Sequence, residues 1–272
     1  MYLVDTDNQL VVQATYNRCL HTQLHVSTLA ATHRTGPHAR MGPVTQAKLV
    51  LFDIDGTLID TGGAGARSWA WAFERLFDRQ VDIAEHSTAG MTDPAIARAT
   101  FVQAMGRKPT ADELARLMAS YQAVLPDFVA SSPDYRVLAG VENLLERLTA
   151  AGILLGLTTG GLEAAAHAKL GRGRLNHFFF LGGYGSDSED RVELTRVAVT
   201  RGERVLEGPI HLSEVFVVGD TPLDIAAAEG VGAISVGVAS GHYGVEELEA
   251  AGADHVLASL AAPFPGEPSG QT

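Results

Sequence analysis

A single cysteine, Cys19, occurs in the 272 residues of the chain. One thiol excludes an intrachain disulfide framework and a cysteine-rich zinc site. Positive charge is also scarce: 20 Lys and Arg stand against 32 Asp and Glu, a formal net charge of −12 at pH 7. A chain of that sign repels nucleic acid, and no Lys/Arg stripe offsets it, so nucleic acid is not an expected partner. No apolar run is long enough to span a bilayer, so no membrane partner is expected. The N-terminus lacks the basic-then-apolar pattern of a secretory leader, and cytoplasmic residence is the expectation. A phosphate-cradling GxxxxGK(S/T) loop, a GxSxG elbow and an HExxH zinc helix are missing too. What remains is 46% hydrophobic and 19% charged, the composition of a globular chain with length for one large domain or two smaller ones.

Residues 1–45 keep no hydrophobic period and hold His21, His25, His33 and His38 without any ligand spacing. They read as a flexible extension, with folding beginning near Met41. From Lys48, short apolar runs recur: KLVLFDI, ILLGLTT (153–159), FFFLGG (178–183), EVFVVGD (214–220) and AISVGV (233–238). None alternates with polar residues, the pattern of strands covered on both faces in a parallel sheet. VENLLERLTAAG (141–152), ELTRVAVTRG (193–202) and LDIAAAEGVG (223–232) have helical spacing and separate most of these runs, which predicts βαβ units. Residues 62–138 interrupt the alternation with helical patterns and no convincing strand. They predict a helical insert at the carboxyl ends of the strands, where open α/β sheets bind ligands. The expected division is a core of 46–61 and 139–262, an insert of 62–138 and a loose Pro/Gly-rich tail of 263–272.

Three of the apolar runs end in reactive groups. Asp53-Ile54-Asp55-Gly56-Thr57 follows the first. In an extended chain residues i and i+2 share a side, so Asp53 and Asp55 are expected to face one small volume. Carboxylates held that close call for a cation, and a hard ion such as Mg²⁺ favours oxygen ligands. An EF-hand calcium loop is excluded, because position 64, where that loop needs Glu, is Ala. Asp220 follows another run, with Asp224 one helical turn on. The third run ends Thr158-Thr159-Gly160-Gly161 and leads into a helix, whose hydroxyl and backbone N–H groups suit a phosphate oxygen. Taken singly, each piece is also a solvated turn or a helix cap.

Together and in this order, DIDGTLID, LTTGG and VVGDTPLD resemble the nucleophile, hydroxyl and metal motifs of the haloacid dehalogenase superfamily, over roughly Lys48 to Leu260. GLTTGGLEAAAHAKL is most similar to its phosphoglycolate phosphatase-like members. The resemblance implies a Rossmann-like parallel sheet of order 3-2-1-4-5, helices on both faces, and a small α-helical cap after the first strand. It implies Asp53 as nucleophile, forming an aspartyl-phosphate, and Asp55 as general acid and base. It implies Mg²⁺ held by Asp53, the Asp55 backbone carbonyl and Asp220, with Asp224 orienting a metal-bound water. Thr159, with the Gly160 and Gly161 amides, would hold the phosphoryl oxygens.

The family usually has a Lys before its metal motif, and GSDSEDRVEL has none. Arg191 holds roughly that place and is favoured as the active-site cation. Lys169, on the helix after Thr159, is the other candidate, and a solvated pair of Arg191 with Glu189 or Glu193 is the plain alternative. Glycines 62, 63 and 65 read as the hinge into the cap. Thr92 and Asp93 are expected to cap the helix they precede or to touch substrate. The activity implied is an Mg²⁺-dependent phosphatase acting on a small phosphorylated metabolite. A phosphomutase of the β-phosphoglucomutase type and a non-catalytic binding module remain as alternatives.

Overall fold

The computed structural model describes residues 46–85 and 88–268. The readings placed on residues 1–45, among them Cys19, the four histidines and the start near Met41, lie outside the described residues, as does the tail beyond residue 268. The described chain opens with β1 (Leu49–Phe52) and a two-residue strand, β2 (Ile59–Asp60). Three helices follow, α1 (Ala64–Phe77), α2 (Asp93–Met105) and α3 (Ala111–Ser131), and then β3 (Arg136–Val137). Helix and strand then alternate: α4 (Val141–Ala150), β4 (Leu154–Thr159), α5 (Glu163–Arg172), β5 (Gly182–Tyr184), α6 (Arg191–Val205), β6 (Val215–Gly219), α7 (Pro222–Val231), β7 (Ile234–Val238), α8 (Val245–Ala250) and β8 (His255–Leu257).

Six of the strands form one sheet in the order β5-β4-β1-β6-β7-β8, every pair parallel. Counted within this sheet alone the order runs 3-2-1-4-5-6. The five strands expected from the sequence are joined by a sixth, β8, only three residues long. β1 lies between β4 and β6 and has no exposed residue. Its alternate side chains serve two separate cores. Val50 and Phe52 pack with Leu144, Leu145 and Leu148 of α4 and Leu170 of α5, whereas Leu49 and Leu51 pack with Ala198 of α6 and Ala228 of α7. A strand covered on both faces needs apolar residues at every position, which is why the run shows no alternation.

The inserted helices keep a cluster of their own, with Trp69, Phe73, Phe101, Leu117, Tyr121 and Leu125 at its centre. Leu162 and Ala165, at the start of α5, belong to the same cluster and join it to the sheet. The insert also has strand structure that periodicity could not reveal. β2 and β3 pair antiparallel at its base, Ile59 opposite Val137 and Asp60 opposite Arg136.

Two further readings need correction. The FFFLGG run opens on the end of a 3₁₀ turn (Asn176–Phe178), Phe180 is 73% exposed although its amide donates to Leu155 O of β4 at 3.4 Å, and the strand itself spans only Gly182–Tyr184. The start of the tail, read as loose, is packed. Phe264 is buried, Ala47 N donates to Gly266 O at 3.0 Å, and Arg147 pairs with Glu267 at 2.7 Å. Among the described residues, no helix is long and apolar enough to cross a membrane.

Candidate active site

Parallel pairing in register brings three chain reversals to one edge of the sheet. Phe52, the last residue of β1, is level with Leu157 of β4 and Val218 of β6. Asp53 follows directly, and its amide donates to Val218 O at 2.8 Å, so the backbone ladder holds it one residue past the strand. Asp220 follows β6, and Thr159 ends β4. Asp224 lies in the first turn of α7, where its Oδ2 accepts from Thr221 N at 3.1 Å and Thr221 Oγ1 at 2.7 Å. Asp53, Asp220 and Asp224 are all buried, and a carboxylate oxygen of each lies within 4.8 Å of the others.

Arg191, the first residue of α6, reaches into this group. Its guanidinium donates to Asp224 Oδ1, lies 3.5 Å from Asp53 Oδ1, and donates to Gly90 O at 3.1 Å. The solvated alternative does not occur: Glu189 pairs with Arg98 and Glu193 with Arg196. Lys169 does not compete for Asp53. Its Nζ, also buried, lies 2.5 Å from Asp55 Oδ2.

Asp55 neighbours Asp53 without joining the buried trio. β1 ends at Phe52, and the chain then turns, with Leu58 N and Ile59 N donating to Ile54 O and Gly56 at φ +84°. Across that turn Asp55 still lies close enough for its charge to act on Asp53. The Asp55 side chain stays 45% exposed and faces Lys169, apart from the buried trio. A second signal in the same motif went unread: Thr57 Oγ1 donates to Asp220 Oδ1 at 3.0 Å. Gly56 and Gly241 flank Asp220 so closely that a Cβ on either would lie 2.4 Å or 1.8 Å from its Oδ2.

The amides after β4 are less free than the sequence implies. Gly161 N donates to Thr159 Oγ1 at 3.2 Å, and Leu162 N donates to Asp93 Oδ2 at 2.9 Å. Because Thr159 Oγ1 accepts that bond, its hydroxyl proton is left for another acceptor. Its neighbour Thr158 faces the other way and bonds Thr195 at 2.7 Å. Thr92 makes no side-chain bond to cap α2, and Asp93 caps α5 instead of its own helix. The contribution of Asp93 was invisible in the sequence because an Asp-Pro pair at a helix start reads as a local cap.

Electrostatics sets the chemical demand of the site. Burial, together with the neighbouring Asp224 and despite Arg191, pushes Asp53 up to about 7. Burial and the charges of Asp53 and Asp224 push Asp220 up to about 8. Burial works against the charge of Lys169, but Asp55, with Tyr121 and Asp93 nearby, outweighs it and holds the ammonium above its usual range. Fully ionised, the three buried carboxylates would outweigh the one guanidinium, and burial together with this crowding holds Asp53 and Asp220 toward their protonated forms. All the spare donors are carboxylate oxygens, the set that a hard divalent cation takes.

Residues 47–232 match the family model for haloacid dehalogenase-like hydrolases. The chain belongs to that family. Among its relatives is a phosphoglycolate phosphatase of Rhodospirillum rubrum, 29% identical over 218 residues, covering 76% of this chain and 85% of the relative. Another is a validoxylamine A 7′-phosphate phosphatase of Streptomyces hygroscopicus subsp. limoneus, 29% identical over 203 residues, 72% of this chain and 87% of the relative. In structure the haloacid dehalogenase-like chain is similar to CbbY of Rhodobacter sphaeroides, crystallised with phosphate. The TM-score is 0.64 at 22% identity, over 79% of this chain and 96% of that one. That likeness concerns the fold. For this family member the site at the ends of β4, β1 and β6 is accordingly the place to look for hydrolysis.

Proposed function

We propose that the chain is a phosphatase that hydrolyses a phosphomonoester of a small metabolite at Asp53, with Mg²⁺ as its cation. The observation that carries this reading is the trio Asp53, Asp220 and Asp224 at one sheet edge, with Thr159 on the neighbouring strand end and Arg191 against the trio. Phosphoglycolate and validoxylamine A 7′-phosphate, the compounds in the names of two relatives, support a small phosphorylated metabolite as the substrate class.

Asp53, Asp220 and the Asp55 backbone carbonyl would hold the cation. Mg²⁺ held there would supply positive charge to offset the negative charge of the phosphoryl oxygens. Asp224, both of whose oxygens accept from protein donors, fixes Arg191. The Asp53 carboxylate attacks phosphorus, a bond forms from its oxygen, and the bond to the ester oxygen breaks. Arg191 beside Asp53 and the free hydroxyl proton of Thr159 offset charge on the phosphoryl oxygens as that exchange proceeds. Asp55 gives its proton to the departing alkoxide. Lys169 occupies Oδ2, which leaves Oδ1 as the oxygen for the proton exchange. In the second half Asp55 takes a proton from water, the water oxygen bonds to phosphorus, and the Asp53 carboxylate is released.

The helices α1–α3 act as a cap in this reading. Their cluster includes Leu162 and Ala165, and closure over the sheet edge would shield the aspartyl-phosphate from bulk solvent while admitting the one water that attacks it. The test is release of phosphate from p-nitrophenyl phosphate by the wild type and by Asp53→Asn, with Mg²⁺ and with EDTA. Release that requires Mg²⁺ and vanishes in Asp53→Asn is expected. A wild type that is inert with every divalent ion, or an active Asp53→Asn, overturns the proposal.

A further inference from the structure

Asp93 is the first residue of α2 and only 5% exposed. A carboxylate at that position ordinarily serves the free amides of its own helix. Here it serves another. Asp93 Oδ2 accepts from Leu162 N at 2.9 Å, and Asp93 N donates to Gly160 O at 2.8 Å. The two bonds run in opposite directions, so one residue of the insert grips the Gly160–Leu162 turn by an acceptor and a donor at once. The segment before Asp93 lies flat on that turn. A Cβ at Gly160 would stand 2.7 Å from Met91 O and 2.8 Å from Thr92 Cα. From the other side, Gly185 N donates to Gly161 O at 2.9 Å.

The carboxylate is equally tied on its own side. The Trp69 indole on α1 and the Tyr121 hydroxyl on α3 both interact with it, and their rings stack with centroids 4.0 Å apart and planes at 4°. All three helices of the insert thus converge on one side chain, and that side chain ends on the turn that continues from Thr159.

We propose that Asp93 is a positioning residue through which the insert sets the Thr159–Leu162 turn for phosphoryl binding. Without it, Leu162 N loses its buried acceptor, and the turn can drop away from the phosphoryl oxygens while Thr159 itself is intact. Asp93 touches no reacting atom. It acts through the turn, and its effect falls on binding of the phosphoryl group and on kcat, not on the carboxylate trio across the sheet edge. The inference rests on the phosphatase reading for its kinetic half only.

The experiment has two arms, on the full chain. Amide hydrogen exchange without substrate, in wild type, Asp93→Asn and Asp93→Ala, reads the grip itself. Leu162 is expected to exchange at least ~10-fold faster in Asp93→Ala, with the rest of α5 unchanged. Steady-state kinetics on p-nitrophenyl phosphate, with inorganic phosphate as inhibitor, reads the consequence. A fall in kcat of roughly 10- to 100-fold with weaker phosphate inhibition is expected, at unchanged Mg²⁺ dependence. Tyr121→Phe, which keeps the ring stack and removes one group from Asp93, should show a smaller change of the same kind and serves if the Asp93 variants do not fold. Unchanged protection of Leu162 overturns the proposal, and so does lost protection with unaltered kcat and phosphate inhibition. An inert wild type refutes the phosphatase reading, while the exchange arm still decides the grip.

Discussion

Lys169 Nζ and Asp55 Oδ2 stand 2.5 Å apart across 114 positions of sequence. The pairing divides the work of the two cations: Arg191 faces the nucleophile candidate and Lys169 faces the acid–base candidate.

Arg191→Ala should therefore lower activity more than Lys169→Ala, because it leaves buried Asp53 and Asp224 without their counter-charge. Arg191→Lys should recover part of the loss, though a point charge cannot span both carboxylates as a guanidinium does. Lys169→Ala should act through Asp55, shifting the pH profile of kcat while leaving metal affinity alone. Kinetics on the three variants over a pH range check this, and a near-wild-type Arg191→Ala contradicts it.

Asp55→Asn should cost on the order of 10²–10⁴ in turnover, the range of a lost general acid–base. Its carboxylate lies outside the trio, so Mg²⁺ affinity should hold. Isothermal titration with Mg²⁺ beside single-turnover rates separates the two effects. Collapse of affinity with intact chemistry would reverse the assignment.

Metal-free protein should lose stability as pH rises. Asp53 and Asp220 sit near 7 and 8 in the folded chain against 3.8 for a free side chain, so the folded state binds protons more tightly between those values. The stability they contribute is present at low pH and is lost as pH rises through the folded values. A divalent ion favours the ionised carboxylates, so the gain in melting temperature on adding Mg²⁺ should grow from pH 5.5 to 8.5. Melts with EDTA and with Mg²⁺ measure it, and a gain independent of pH counts against these carboxylates as the ligands.

Gly241→Ala should impair catalysis without unfolding the sheet. The new Cβ would lie 1.8 Å from Asp220 Oδ2, so the carboxylate must move. A displacement of that order near the chemistry costs about 10²-fold in rate. A variant with wild-type kinetics at low Mg²⁺ would falsify the role given to Asp220.

The sheet was legible because burial on both faces leaves a mark at every residue of β1, β4, β6 and β7. The positions of Asp53, Asp220 and Thr159 were legible for the same reason, since each closes or follows such a run. What escaped was set by chain reversal and by partners distant in sequence. Asp55 pairs with Lys169 114 positions away, and Asp93 caps a helix 69 positions away. Phe178 to Phe180 carry hydrophobicity without a strand, since the chain leaves the 3₁₀ turn there and Phe180 faces solvent. β2, β3 and β8 are too short to show a period.

The ribbon of β2 and β3 has a consequence for how this chain can be altered. Its two passages to and from the helical insert are paired side by side and braced by Arg136 to Asp60 at 2.6 Å. To the sheet, everything between Asp60 and Arg136 is the loop of a hairpin whose ends already meet. The entropy of closing such a loop grows only as the logarithm of its length. Changing the length of the insert should therefore put little strain on β1, and what ties the helices to the sheet is their packing on Leu162 and Ala165 and the Asp93 bond to the Leu162 amide.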